Sequence, residues 1–138
     1  MKISSSTLER NRVGEMAEAC VTKPKVLLVD NEKGIVNFLK LKLKISGFEV
    51  ATCSTGEECL EMLPEVNPDI ILLDIGLPGI DGIEVLRRLR KFSQVPVVIL
   101  SGRHSVPEEA VAGASAFVRK PFDLDELVAQ MRTLLQPA

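Results

Sequence analysis

Short apolar runs alternate with amphipathic segments along residues 25–136. A continuous apolar run of roughly four to eight residues is typical of a strand that is buried on both faces. Strands that alternate with helices favour a parallel sheet, because helical crossovers join parallel neighbours. On this pattern we predict five strands: Val26–Val29, Glu49–Cys53, Ile70–Leu73, Val97–Leu100 and Ala116–Val118.

The segments between the predicted strands carry helix signals. Residues 34–45 are ambiguous, because apolar and lysine positions alternate from Leu39 to Ile45 with the period of a strand. Leucine and lysine nevertheless favour helices, and Ser46-Gly47 is a typical helix end, so we predict a helix there. Three further helices begin at capping pairs, in which Thr or Asp is followed three residues later by Glu: Thr55 with Glu58, Asp81 with Glu84, and Asp123 with Glu126.

Prolines and apolar stripes indicate where the helices end. We predict that the second helix ends at about Leu63, because Pro64 and Pro68 indicate a loop. The third should reach about Lys91, and a short helix is predicted within Pro107–Ala112. The last helix has an apolar stripe on one face, which predicts that this face packs on the sheet. The stripe consists of Leu124, Leu127, Val128, Met131, Leu134 and Leu135.

This succession of elements predicts an α/β fold. A doubly wound, five-stranded parallel sheet with helices on both faces suits the buried strands, and right-handed crossovers favour the strand order 2-1-3-4-5. We assign residues 24–138 to this domain. Residues 1–23 form an N-terminal extension that its polar start predicts to be flexible, and a partner-binding helix from Arg10 to Cys20 is the alternative. Ligands of such sheets bind beyond the carboxyl ends of strands 1 and 3.

Polar side chains follow four of the predicted strands. Asp30-Asn31-Glu32 follows the first, Asp74 the third, Ser101 the fourth, and Lys120 the fifth. Each alone could be a helix cap, a turn residue or a solvated lysine, but their coincidence at one sheet edge favours a site. Clustered carboxylates attract a divalent cation, and oxygen ligands suit Mg²⁺. A carboxylate can also accept a phosphoryl group, whose charge a metal and a lysine would neutralise.

Four segments in the chain, LLVDNE, LLDIGLPGIDG, VVILSG and AFVRKPF, resemble the strand-end motifs of response-regulator receiver domains. The resemblance covers residues 25–136 and implies a flavodoxin-like fold. It implies a signalling switch of a two-component system, not an enzyme in the ordinary sense. Such a switch takes a phosphoryl group from a sensor histidine kinase or a histidine phosphotransfer protein and then engages a downstream protein or a second copy. The responding surface would include the last strand, the last helix and the short helix within Pro107–Ala112.

The resemblance also implies a role for individual residues. Asp74 would be the phosphoacceptor, and Lys120 would pair with the phosphoryl group. Ser101 and Phe117 would be the switch residues. The cofactor would be Mg²⁺, held by Asp30, Asn31, Asp74 and the backbone carbonyl of Gly76. A cis peptide bond between Lys120 and Pro121 is a further implication.

Asn31 departs from the family pattern, in which a second acidic metal ligand is usual at this position. Its amide oxygen can still bind a metal, but one negative charge is missing, so we predict weaker Mg²⁺ binding. Glu32 could compensate, although we interpret it as a residue of the first helical turn, where the helix dipole favours a carboxylate. The segment between Ser101 and Lys120 also looks short for the family, which predicts that the helix within Pro107–Ala112 lacks about one turn.

Two other functions remain as alternatives. Asn31 suggests a pseudo-receiver, which would be a constitutive protein-binding module with an inactive site, but the intact Asp74, Ser101 and Lys120 argue against it. A flavodoxin-like cofactor binder is disfavoured, because Asp30-Asn31-Glu32 would repel an anionic cofactor.

Composition excludes several classes. A net charge of −2 gives no electrostatic basis for direct nucleic-acid binding, and no apolar run approaches the roughly 20 residues of a membrane span. The three cysteines lack metal-ligand spacing, so we expect reduced thiols in a cytoplasmic protein. Because the last predicted helix ends close to Ala138, we expect a stand-alone receiver or one cut from a longer protein.

Overall fold

The strands form one parallel sheet of the predicted order. The computed structural model describes residues 23–102 and 113–136. Within these residues the sheet has the order β2-β1-β3-β4-β5, and every neighbouring pair is parallel. The strands are β1 (Lys25–Val29), β2 (Glu49–Cys53), β3 (Ile70–Asp74), β4 (Val97–Ser101) and β5 (Ala116–Arg119). The α/β fold class and the strand order 2-1-3-4-5 are therefore confirmed.

Four helices lie in the described part of the chain: α1 (Lys33–Ile45), α2 (Gly56–Val66), α3 (Gly82–Leu89) and α4 (Leu124–Leu135). Helices α2, α3 and α4 begin after Thr55, Asp81 and Asp123, and each of these side chains accepts a hydrogen bond from a backbone N–H of the first turn. The predicted helix within Pro107–Ala112 and the predicted extension, as far as residue 22, lie outside the described residues.

The ambiguous segment with alternating leucines and lysines is the helix α1. Leu39 and Leu43 are both buried, because residues four apart lie on the same face of a helix. Ser46-Gly47 ends the helix as predicted. The N–H of Phe48 donates to the carbonyl of Leu43, and the N–H of Gly47 donates to the carbonyl of Lys44. Gly47 has a φ of 101°, a conformation that favours glycine.

Two apolar layers cover the sheet, one on each face, because successive strand residues point to opposite sides. Leu27, Leu73 and Ile99 face α2 and α3. Leu28, Leu72 and Val98 face α1 and α4. On the predicted stripe of α4, Leu127, Val128 and Met131 are buried, whereas Leu124, Leu134 and Leu135 are partly buried.

Two predicted helix ends are corrected. Helix α2 continues to Val66, so Pro64 lies in its last turn and not in a loop. The helix stops where Asn67 adopts a left-handed conformation with a φ of 48°, which asparagine tolerates better than most residues. Helix α3 ends at Leu89, two residues before Lys91, and the chain continues there as a turn.

The outer face of α1 carries apolar side chains that the core does not use. Phe38, Leu41 and Ile45 are exposed, and their spacing places them on one face of the helix. Phe38 also lines a groove that reaches Lys120. No helix in the described residues is both long and apolar enough to span a membrane.

Candidate functional site

The carboxyl ends of β1 and β3 bring two aspartates together. Val29 pairs with Leu73 across these neighbouring strands, so Asp30 and Asp74 follow at the same level of the sheet. Both are buried, with only 1% of Asp30 and 7% of Asp74 exposed. Two carboxylates in so little solvent require a compensating charge.

Lys120 supplies that charge from the last strand. The N–H of Lys120 donates to the carbonyl of Ser101 at 2.8 Å, which fixes the chain just beyond β5 against the end of β4. The ammonium Nζ lies 3.1 Å from Oδ2 of Asp30, 3.3 Å from Oδ2 of Asp74 and 3.2 Å from Oε1 of Glu32. One cation therefore faces three carboxylates. The peptide bond between Lys120 and Pro121 is cis, as predicted.

Backbone N–H groups fix the second oxygen of each aspartate. The N–H of Glu32 donates to Oδ1 of Asp30, and the N–H of Gly76 donates to Oδ1 of Asp74, both at 3.0 Å. These bonds hold the carboxylates so that Oδ2 of each faces Lys120. The loops that follow β1 and β3 thus orient the two carboxylates.

The pKa values reflect this crowding. Burial raises the pKa of Asp74, and the charge of Asp30 raises it further, while the N–H of Gly76 and the ammonium of Lys120 act in the opposite direction. Burial alone would lower the pKa of Lys120, but its hydrogen bond to Asp30 and the charges of Asp74 and Asp30 raise it overall. Lys120 therefore stays cationic, and the site keeps an excess of negative charge.

The donor atoms fit a hard divalent cation. One carboxylate oxygen each from Asp30, Glu32 and Asp74 lie within 4.8 Å of one another. Oxygen-only ligands suit Mg²⁺. Three carboxylates and the single ammonium of Lys120 leave a net negative charge, so the charge of the site does not exclude a divalent cation. The site residues therefore fit the Mg²⁺ that the sequence predicts.

Ser101 and Phe117 lie on the strands next to Asp74. Asp74 pairs with Leu100, so the buried Ser101 follows one position further along β4. Phe117 pairs with Ile99 from the edge strand β5, and it packs partly buried against the core beneath α2 and α3. Their positions are compatible with the predicted switch roles, which stay predictions.

Asn31 and Glu32 lie differently from what the sequence suggested. Asn31 is exposed. Glu32 was interpreted as a residue of the first helical turn, but it is the non-helical N-cap of α1, with φ −91° and ψ 101°. Its carboxylate turns toward Lys120. The sequence signal for this contact is the acidic residue directly after the strand-end Asp30-Asn31 pair.

Helix α3 approaches the site unusually closely. Gly82, its first residue, donates its N–H to the carbonyl of Ile75 at 3.0 Å. A Cβ atom on Gly82 would lie 2.5 Å from the carbonyl oxygen of Asp74 and 2.7 Å from Cα of Ile75. Only glycine fits this contact, which supports the loop that carries Gly76.

Replacing Asp74 with asparagine is expected to raise Tm by a few degrees in buffer with a chelator. Because folding raises the pKa of Asp74 above its ordinary 3.8, charging this group disfavours the folded state. That cost is absent below pH 3.8 and is complete above the raised pKa. The Tm difference between variant and wild type should therefore shrink as the pH falls toward 4. Thermal unfolding followed by circular dichroism checks this, and a lower Tm for the variant at neutral pH would contradict it.

Comparisons with known proteins agree on one family. The model of the response regulator receiver domain matches residues 26–132. The transcriptional regulatory protein PrrA of Mycobacterium tuberculosis is 44% identical over 120 residues, which cover 84% of this chain and 52% of that protein. The transcriptional regulatory protein KdpE of the same species is 39% identical over 114 residues, 80% of this chain and 50% of that protein. The chain thus spans about half the length of these relatives.

Solved structures give the same result for the fold. The receiver domain of the Francisella response regulator 1452 has a TM-score of 0.77 and 35% identity, and the match covers 82% of this chain and 97% of that one. The chemotaxis response regulator CheY4 of Vibrio cholerae has a TM-score of 0.75 and 30% identity, with 83% of this chain and 100% of that one covered.

Proposed function

Because this chain belongs to the response regulator receiver domain family of two-component systems, we propose that it is a switch controlled by phosphorylation of Asp74. Members of this family are signalling domains and not classical enzymes. One observation carries the proposal. The buried carboxylate of Asp74 has one oxygen held by Gly76 and the other facing Lys120, with Asp30 beside it. A nucleophile, a cation and a second carboxylate for a metal are the parts that phosphoryl transfer to a carboxylate needs.

The transfer follows from these positions. An oxygen of Asp74 forms a bond to phosphorus while the bond between phosphorus and the donor's imidazole nitrogen breaks, and the nitrogen keeps the electron pair. The product is an acyl phosphate on Asp74. Lys120 neutralises one phosphoryl oxygen, and the hydroxyl of Ser101 donates to another. Asp30 and Asp74, with the carbonyl of Gly76 and, in the family pattern, residue 31, would hold Mg²⁺, which would supply positive charge at the same oxygens.

The partners follow from the chemistry and from the family. The phosphodonor is a histidine of a sensor kinase or of a histidine phosphotransfer protein. The exposed side chains of Phe38, Leu41 and Ile45 on α1 support a protein contact on this side, since Phe38 and Lys120 line one groove. Downstream, we propose that Ser101 and Phe117 respond to the phosphoryl group and that β5 and α4 present the change to a further protein.

Incubation with Mg²⁺ and a small acyl phosphate is expected to add one phosphoryl group, at Asp74. Asp74 combines burial, an oriented oxygen and contact with Lys120. Asp30 shares these features, and the family pattern assigns the acceptor role to Asp74. Intact-protein mass spectrometry measures the addition, and hydroxylamine should remove it because it cleaves acyl phosphates. Asp74→Asn is the variant that should stay unlabelled, and Asp69→Asn, an exposed aspartate at the opposite end of β3, is the matched control that should label normally.

Full labelling of Asp74→Asn would contradict the assignment. An unlabelled wild type would instead favour the pseudo-receiver, a constitutive binding module in which the exposed Asn31 leaves the metal site too weak.

A further inference from the structure

Residue 31 leaves the metal site one carboxylate short of the family pattern, and the side chain of residue 32 points into the same site. We propose that Glu32, and not Asn31, supplies the carboxylate that completes the divalent-cation site of this chain. The inference rests on the proposed function only in placing the cation beside Asp74.

The carboxylate of Glu32 is within reach of a shared ion. Its oxygen belongs to the group with oxygens of Asp30 and Asp74 that all lie within 4.8 Å of one another. Two oxygens that bind one Mg²⁺ at about 2.1 Å are separated by about 3 Å when adjacent and by about 4.2 Å when opposite. Oxygens that are 4.8 Å apart would therefore have to approach one another by about 0.6 to 1.8 Å. Asn31 is exposed, and its amide brings no negative charge to the site.

Glu32 is also able to make that movement. Its side chain is 57% exposed. As the N-cap of α1, within the described part of the chain, it makes no side-chain capping hydrogen bond. Its described contact is the ion pair with Lys120 at 3.2 Å, and an ion pair with one exposed partner is weak. A rotation of the side chain can exchange this contact for a cation at little cost.

The charges favour the exchange. Asp30 and Asp74 alone give two carboxylates against the ammonium of Lys120, so a third carboxylate from Glu32 doubles the net negative charge from one to two. Coulomb attraction for a divalent cation rises in proportion. The same carboxylate would thus hold Lys120 before the cation binds and leave Lys120 to Asp74 afterwards. Glu32 would then compensate for the carboxylate that is missing at residue 31.

Mn²⁺ tests the proposal without any phosphodonor. Electron paramagnetic resonance counts free Mn²⁺ during titration of the full chain. Glu32→Gln is expected to weaken Mn²⁺ binding by about tenfold or more. Asn31→Ala is expected to change it by less than about twofold, because on this proposal the side chain of Asn31 does not contact the ion. Asp74→Asn should weaken binding strongly, which locates the ion. Because Glu32 is exposed, its variants should keep the wild-type circular dichroism spectrum and Tm in chelator.

Glu32→Asp separates a ligand from a distant charge. This variant keeps the charge but withdraws the carboxylate by one methylene group, so a ligand predicts weaker binding than in the wild type. Wild-type affinity in Glu32→Asp would mean that only the charge matters, and it would overturn the proposal. Wild-type affinity in Glu32→Gln, or an equal loss in Asn31→Ala, would overturn it as well.

The two proposals fail in different experiments. If Asp74 is labelled by an acyl phosphate but Mn²⁺ affinity does not depend on Glu32, only the present inference is wrong. If Mn²⁺ affinity depends on Glu32 but Asp74 cannot be labelled, the cation site stands and phosphorylation control is wrong.

Discussion

Replacing Lys120 with methionine is expected to slow labelling of Asp74 by an acyl phosphate by about 100- to 1,000-fold, the usual loss when one donor to a developing charge is removed. Methionine keeps much of the length of the side chain but cannot donate to the phosphoryl oxygen. Labelling rates from intact-protein mass spectrometry at saturating Mg²⁺ measure the loss. Labelling at the wild-type rate would show that Lys120 has no role in phosphoryl transfer.

The same variant is expected to lose about 3 kcal/mol in the free energy of unfolding, because the buried carboxyl groups of Asp30 and Asp74 lose their cationic partner. Lys42→Met is the matched control. Lys42 forms a shorter ion pair, 2.9 Å, with Asp125, but the side chain of Asp125 is 84% exposed. Its loss should therefore have a much smaller effect, because ion pairs at the surface contribute little to stability. Urea denaturation in chelator compares the two, and equal losses would show that burial does not decide the effect.

Gly82→Ala is expected to lower the free energy of unfolding by about 2–3 kcal/mol and to slow the labelling of Asp74. The added methyl group would meet the carbonyl oxygen of Asp74 at 2.5 Å and Cα of Ile75 at 2.7 Å. Both are backbone atoms, so a rotamer change cannot relieve the overlap, and overpacking of this kind typically costs about 1–3 kcal/mol. Urea denaturation and the labelling rate measure the two effects.

Gly34→Ala is the matched control for Gly82, since both glycines lie in the first turn of a helix. No atom lies within 4 Å of a Cβ placed on Gly34. Alanine there should stabilise the protein by about 0.5–1 kcal/mol through its lower backbone entropy when unfolded. The two substitutions thus have opposite expected signs. A stabilising Gly82→Ala would mean that α3 can move away from β3 without cost.

The sequence was sufficient for the sheet and for the placement of Asp30 and Asp74, because both depend on strand ends. Once Val26–Val29 and Ile70–Leu73 are parallel neighbours, Asp30 and Asp74 must meet, and no knowledge of side-chain conformation is needed. The predicted helix α1 was confirmed for a similar reason. The helical preferences of leucine and lysine, together with the stop at Ser46-Gly47, outweigh a local period of two.

The features that the sequence did not predict depend on the backbone of single loops. Whether Glu32 is the N-cap or the first turn of α1 changes where its carboxylate points, and a helix start is uncertain by one or two residues in any sequence. Pro64 was read as a loop signal, but its position near the end of α2 costs few hydrogen bonds, and the left-handed Asn67 sets the end.

The position of β5 at the edge of the sheet also bears on how the chain folds. β5 pairs with β4 as the last strand in the sequence, and Lys120, just beyond it, lies 90 positions from Asp30. Contacts this distant in sequence form late, because the loop they close must first lose its entropy. During synthesis, Asp30, Glu32 and Asp74 emerge well before their cation, and a sheet of four strands would hold three carboxylates with mutual repulsion. Addition of β5 brings Lys120 to the site and reduces that repulsion, so the charge balance of the site favours completion of the whole domain.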